Sequence, residues 1–158
     1  MILCAGEALI DMLPRESTAG EPCFAPVAGG SVFNTSVALG RLGVAAGLFT
    51  GLSRDLFGQR LDASLAAAGV DAASAVRSDR PTTLAFVELA DGQARYAFYD
   101  ENTAHRMLTE ADLPPPAALD GVSALFFGGI SLMVEPCASA YAALMAREAR
   151  RRVTMLDP

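Results

Sequence analysis

Short apolar runs with the composition of buried strands alternate along this chain with segments of helical period, and no other feature restricts its fold as strongly. Residues 1–10 are apolar, with β-branched and small side chains, and break at Asp11-Met12-Leu13-Pro14, as a buried strand running into a loop does. From Ser31, a suitable N-cap, the period becomes helical. Phe33, Val37 and Gly40 share one row, Ala38 and Leu42 another, and Gly43 is the stop signal. Residues 44–51 read as a second buried strand and 55–68 as a second helix, with Phe57, Leu61 and Leu65 on one face and Gly69 after it. Beyond Pro114-Pro115-Pro116, residues 122–129 return to a buried strand and 135–152 to an amphipathic helix in which Tyr141, Leu144, Met145 and Glu148 are neighbours. A last apolar strand lies in 153–158. Strands alternating with helices imply a parallel sheet covered on both faces, an α/β fold. At 158 residues one domain is expected.

Two stretches depart from that rhythm. Residues 15–30 are polar and irregular, with Gly20, Pro22, Pro26 and the pair Gly29-Gly30. Residues 82–99 alternate in the manner of strands around Ala90-Asp91-Gly92, which predicts a hairpin.

Composition removes several function classes. All twelve basic residues are arginine, so a GxxxxGK[ST] phosphate loop, which needs its lysine, is excluded. A net charge of −6 disfavours a nucleic-acid partner, whose affinity comes from cations neutralising phosphates. Cys4, Cys23 and Cys137 are far apart and outside any CxxC pattern, so neither a disulfide framework nor a metal site is expected, and a reducing cytoplasm is the simplest location. The opening apolar run lacks a basic flank and is interrupted by Glu7 and Asp11, which argues against a signal peptide or a membrane span. The lone histidine, His105, beside Arg106, is expected on the surface. Arg147, Arg150, Arg151 and Arg152 are read as a solvated helix end suited to the helix dipole. Cys4 and Phe126-Phe127 are read as core.

Ligands of open α/β sheets bind beyond the carboxyl ends of the strands. Glu7, Asp11, Gly51, Ser53, Asp55, Gly128, Gly129, Ser131 and Asp157 are expected there. A buried carboxylate such as Asp11 can accept two hydrogen bonds from vicinal hydroxyls; equally, it can cap the turn that follows it. Gly29 and Gly30 would let the backbone approach a ligand, and Asn34, in the first helical turn, offers both a donor and an acceptor. The pattern is not GxGxxG, which argues against a dinucleotide site.

The segments AGGSVFNTSVALGRLG (28–43) and GLFTGLSRDLFG (47–58), taken with GEALIDMLP (6–14) and FYDENTAHRML (98–108), resemble in order the ribokinase, or PfkB, family of carbohydrate kinases, and its bacterial fructokinases in particular. Val32 stands where the family signature usually has Gly, Ala or Pro, and Ser53 where it has Gly. The resemblance implies a Rossmann-like ribokinase fold, a parallel sheet flanked by helices, with a small β-sheet lid formed by residues 14–28 and 82–99. It further implies that Asp11 binds sugar hydroxyls, that Gly29 and Gly30 lie against the sugar, that Asn34 bonds a hydroxyl, and that Phe98 and Asp100 close over it. Ser131 and Glu135 would line the site at a strand end. An acid at position 100 disfavours an anionic sugar and leaves a neutral one such as fructose.

The family's catalytic Asp lies in a GAGD-type segment, and no GxGD occurs in this sequence. The chain is therefore expected to be the amino-terminal half of a kinase, with the carboxy-terminal half absent. Mg-ATP would belong to the full-length parent, none being bound by this part alone. Such relatives often form homodimers through the lid. Another sugar or nucleoside kinase of the family, or a non-catalytic sugar-binding domain, are the alternative readings.

Overall fold

The computed structural model describes residues 1–90 and 93–158. In chain order the elements are β1 (Ile2–Ala5), β2 (Leu9–Glu16), β3 (Pro22–Gly29), α1 (Ser31–Arg41), β4 (Ala46–Phe49), β5 (Gly51–Ser53), α2 (Leu56–Ala67), β6 (Val76–Ser78), β7 (Leu84–Ala90), β8 (Gln93–Tyr99), β9 (Ala124–Gly128), α3 (Cys137–Glu148) and β10 (Val153–Asp157). The hairpin turn expected at Ala90-Asp91-Gly92 falls on residues 91 and 92, outside the described residues. Among the described residues no helix is long and apolar enough to cross a membrane.

β10, β9, β1 and β4 form, in that order, a parallel sheet. Alternate side chains of β1 enter different cores, which is why the strand is apolar throughout. Cys4 packs with Val32, Phe33 and Val37 of α1 and Leu61 and Leu65 of α2. Leu3 and Ala5 pack with Leu125, Phe127, Tyr141 and Leu144 on the side of α3. The expected doubly covered sheet is present, with Cys4 and Phe127 in its core.

The second sheet has the order β3-β2-β7-β8. Residues 1–10 are thus not one strand. The chain bends at Gly6, where a Cβ would stand 2.5 Å from the Val32 side chain and 2.9 Å from Ser131 Oγ. Ala8, Leu9 and Ile10 remain buried beyond the bend, so hydropathy does not mark it. Residues 15–30 are likewise not irregular, since β3 pairs antiparallel with β2 from Leu9↔Gly29 to Glu16↔Pro22. Pro22 and Pro26 fit because β3 is an edge strand, where a missing N–H costs little. The expected strand 44–51 divides at Thr50, and β5 pairs with β6 in a separate ribbon.

Two further expectations are corrected. The third helix ends at Glu148, and the arginines around its end are not simply solvated. Glu148 is 0% exposed, held by Arg147 at 2.8 Å and Arg152 at 2.6 Å. Those arginines also donate to the carbonyls of Pro114, Leu119 and Val122, pinning the connection before β9. A carboxylate so buried is stable as a charge only with such partners. His105 is buried too, 5% exposed, among residues remote in sequence: Thr50, Cys137 and Tyr141.

Candidate functional site

The ends of β1 and β9, the start of α1 and one face of the second sheet meet at a cavity of about 340 Å³ lined by Leu9, Asp11, Gly30, Ser31, Asn34, Tyr96, Phe98 and Ile130. A second lobe of about 300 Å³ shares Leu9, Phe98 and Ile130 and continues to Glu7, Thr83, Asp100, His105, Arg106, Met133 and Val134. Ligand sites in parallel sheets occupy this end of the strands.

The junction is built on Glu7, whose side chain is 1% exposed. Its Oε1 accepts from Ser31 Oγ at 2.6 Å and the Val32 amide at 3.1 Å, and its Oε2 accepts from Ser131 Oγ at 2.5 Å. Burial pushes this carboxyl up, but the hydrogen bonds from Ser131, Ser31 and the backbone outweigh it and hold it below the ordinary carboxylate value. An ionised Glu7 therefore fastens the helix start to the turn that follows β9. Gly30 completes the turn as the actual N-cap, in place of Ser31, at φ 103. That is a left-handed conformation, and a Cβ there would also stand 2.9 Å from the Glu7 carbonyl. Val32, the departure from the family signature, is fully buried and fills the space left by Gly6 and Gly128.

Asp11 lies within β2 rather than in a turn. The register Asp11↔Ala85 and Ala85↔Phe98 places it across the sheet from Phe98 on the same face. Burial raises its carboxyl above the ordinary value, and among the described residues it accepts no hydrogen bond. Gly29 serves a different purpose from the one expected. It is buried and lies outside the cavity lining, and a Cβ there would collide with the Asp11 carboxylate. Its role is to make room for that side chain. Asn34 is exposed on the first turn of α1 and lines the cavity. Phe98 stacks on Tyr96, ring centroids 5.9 Å apart and planes 17° from parallel. Together they offer an apolar surface on the sheet face that also carries Asp11.

The remaining expected residues are placed differently. Asp100 is on the second lobe but pairs with Arg106 at 3.0 Å, so it is not a lone acid. Ser131 is 1% exposed, its hydroxyl committed to Glu7. Glu135 is exposed and caps α3 through the Ser139 amide and hydroxyl, away from both lobes. Sequence reasoning missed Tyr96, Ile130 and Arg106. Tyr96 was reachable from strand period, two residues before Phe98. The other two are joined to the site only by the fold. His105, behind the second lobe, has its pKa lowered to about 4 by burial, against opposing attraction from Glu7 and Asp100, and is neutral at physiological pH. No group of three or more His, Cys, Asp or Glu placed to hold a metal occurs among the described residues.

Comparison with known proteins bears on the family and the fold. The profile described as pfkB family carbohydrate kinase matches residues 1–158. A fructokinase of Rhizobium leguminosarum bv. trifolii is 56% identical over 158 residues, 100% of this chain and 48% of that protein. Fructokinase-1 of Oryza sativa subsp. japonica is 37% identical, over 94% of this chain and 48% of its own length. The crystal structure of a fructokinase from Xylella fastidiosa superposes with a TM-score of 0.89 at 32% identity, covering 99% of this chain and 51% of that one. A second structure of a fructokinase from that organism, with bound ATP, gives 0.88 at 33% identity. The chain spans about half the length of the curated relatives it matches. The profile over the whole chain and the superposed fold agree: the chain belongs to the pfkB family of carbohydrate kinases.

Proposed function

We propose that this chain is the sugar-binding half of an ATP-dependent carbohydrate kinase whose acceptor is a neutral sugar, fructose being the best candidate. The observation that carries the reading is the unpartnered Asp11 carboxylate, facing a cavity also lined by Gly30 and Asn34 beneath the Tyr96-Phe98 pair. Asp11 accepts from vicinal hydroxyls, Asn34 bonds a further one, and the stacked rings cover the sugar's C–H face. The second sheet, built from β2, β3, β7 and β8, acts as the lid. The names of the relatives support fructose, and the ATP-bound relative supports the donor.

This chain's residues bind and orient the acceptor and exclude water from it. With neither a lysine nor a GxGD segment, they do not supply the phosphoryl-donor side, and the 158 residues alone are expected to release no ADP from fructose and Mg-ATP above a no-protein control. The lid's exposed Phe24 and Tyr99 favour pairing of two copies through this sheet. The free cysteines suit a cytoplasmic protein.

Isothermal titration of fructose, ribose and adenosine into the full-length polypeptide that carries this chain tests the reading. Fructose should bind most tightly, and Asp11→Asn should weaken it at least about tenfold, the loss of a charge-assisted hydrogen bond. Tighter binding of adenosine would overturn the choice of substrate.

A further inference from the structure

Asn34 lines a second cavity besides the one that carries Asp11, a groove of about 630 Å³ between α1, β3 and α2. Spacing along the two helices explains what this groove presents. Asn34, Val37 and Arg41 stand three and four residues apart on α1, and Ala63 and Ser64 stand three and four residues beyond Arg60 on α2, so each set shares one helix face. Val27 of β3 and the buried Phe33 extend Val37 into an apolar wall. The small side chains of Ala63 and Ser64 leave the space before that wall open.

The charge of the groove is of one sign. Among the described residues two arginines line it and no acid does. The ion pairs of the described residues engage Arg54, Arg77, Arg106, Arg147 and Arg152. Arg41 and Arg60 take part in none, and neither donates a side-chain hydrogen bond among the described residues. Asp62, two positions beyond Arg60, is taken by Arg77 of β6. With 18 acidic residues to 12 arginines, acids are plentiful in this chain, and two unpaired guanidiniums lining one cavity are an arrangement that composition does not supply.

We propose that this groove is a second binding site, which takes a phosphate group through Arg41 and Arg60 and is coupled to the sugar cavity through Asn34. Two planar forks match the double charge and the three oxygens of a phosphate monoester, and the apolar wall suits the organic part that such a group carries. Inorganic phosphate shares the anionic chemistry alone. Asn34 has one side-chain amide for two cavities. An anion in the groove attracts its N–H donors, the sugar loses that hydrogen bond, and the two ligands weaken each other. The coupling rests on the sugar-binding reading above; the anion site does not.

The test is equilibrium titration of inorganic phosphate and of fructose 6-phosphate into the full-length polypeptide, its nucleotide site filled with magnesium and a non-hydrolysable ATP analogue. Fructose 6-phosphate should bind at least about tenfold more tightly than inorganic phosphate, the worth of a small apolar contact, and should keep that affinity in Asp11→Asn, which is impaired at the sugar cavity. Equal affinities would assign the site to free phosphate. Arg41→Gln and Arg60→Gln should each weaken both ligands by about threefold to tenfold, and the double variant by at least about tenfold. Arg150→Gln, which removes the same charge from outside the groove, should change neither. Near-saturating phosphate should weaken fructose by about threefold, and fructose should weaken phosphate by the same factor, both effects vanishing in the double variant. Both arginines are exposed, so their variants should unfold as cooperatively as the unsubstituted protein. A double variant that keeps its phosphate affinity, or an equal loss in Arg150→Gln, overturns the site, and independence of phosphate and fructose overturns the coupling. Phosphate binding without any fructose binding by the unsubstituted protein would instead overturn the reading of the sugar cavity, and the coupling with it, and leave the anion site standing.

Discussion

Two carboxylates at the cleft have opposite electrostatic histories, and they divide function from stability. Burial raises the Asp11 carboxyl, so the folded protein holds that proton more tightly than the unfolded chain. The acid's contribution to stability is therefore complete below the ordinary carboxylate value and is lost as pH rises through the raised one. Asp11→Asn escapes that loss. Its thermal midpoint at pH 7 is expected to equal or exceed that of the unsubstituted protein, with the difference closing as pH falls toward about 4, while sugar binding is weakened. A midpoint several degrees lower at pH 7 would contradict this account. Glu7 behaves in the reverse sense. Its hydrogen bonds lower the carboxyl despite burial, so its contribution is present above the ordinary value and is lost as pH falls through the depressed one. Glu7→Ala leaves Ser31, Val32 and Ser131 without their acceptor and should cost about 3 kcal/mol in urea unfolding at pH 7, with a smaller loss in acid.

At the scale of elements, α3 is secured to the connection before β9 by Arg147 and Arg152 around Glu148. Arg152→Ala leaves that carboxylate half-neutralised in the interior and should destabilise by about 3 kcal/mol, whereas adding Glu148→Gln should recover part of the loss because no buried charge then remains. Denaturant midpoints of the two variants check this, and a double variant worse than the single would refute it. The helices were legible from sequence because a single row of apolar residues per turn, such as Phe57, Leu61 and Leu65, belongs to one element alone. The bend at Gly6 was not, because what forbids a side chain there is Val32 and Ser131, far along the chain. In the local composition β3 was hidden by Pro22 and Pro26, which are informative only once the strand is known to be an edge, and only the family resemblance implied a sheet there. Asp11, Asn34 and Phe98 were found through motif order, while Arg106 and buried His105 depend on pairings with Asp100, Glu135, Thr50, Cys137 and Tyr141 that no local pattern encodes.

For the whole molecule, the consequential surface is the free side of β10. That strand is at the edge of the parallel sheet, and Val153, Met155 and Leu156 are 67%, 60% and 43% exposed. β1, deep in the same sheet, shows what apolar residues of this kind do when covered. Unpaired backbone groups beside exposed apolar side chains are a template for another strand. The 158-residue chain studied alone should therefore self-associate, its weight-average sedimentation coefficient rising with concentration. Met155→Lys places a charge on that surface and should suppress the rise without altering the fold, since the side chain is mostly in solvent. In the full-length kinase proposed above, the remaining half would cover this edge, so the longer polypeptide should lack this mode of association, and any dimer it forms should respond to substitutions at Phe24 or Tyr99 on the lid rather than at Met155. A 158-residue chain that stays monomeric at high concentration, or whose association is indifferent to Met155→Lys, would show that the edge is protected by its own twist and side chains.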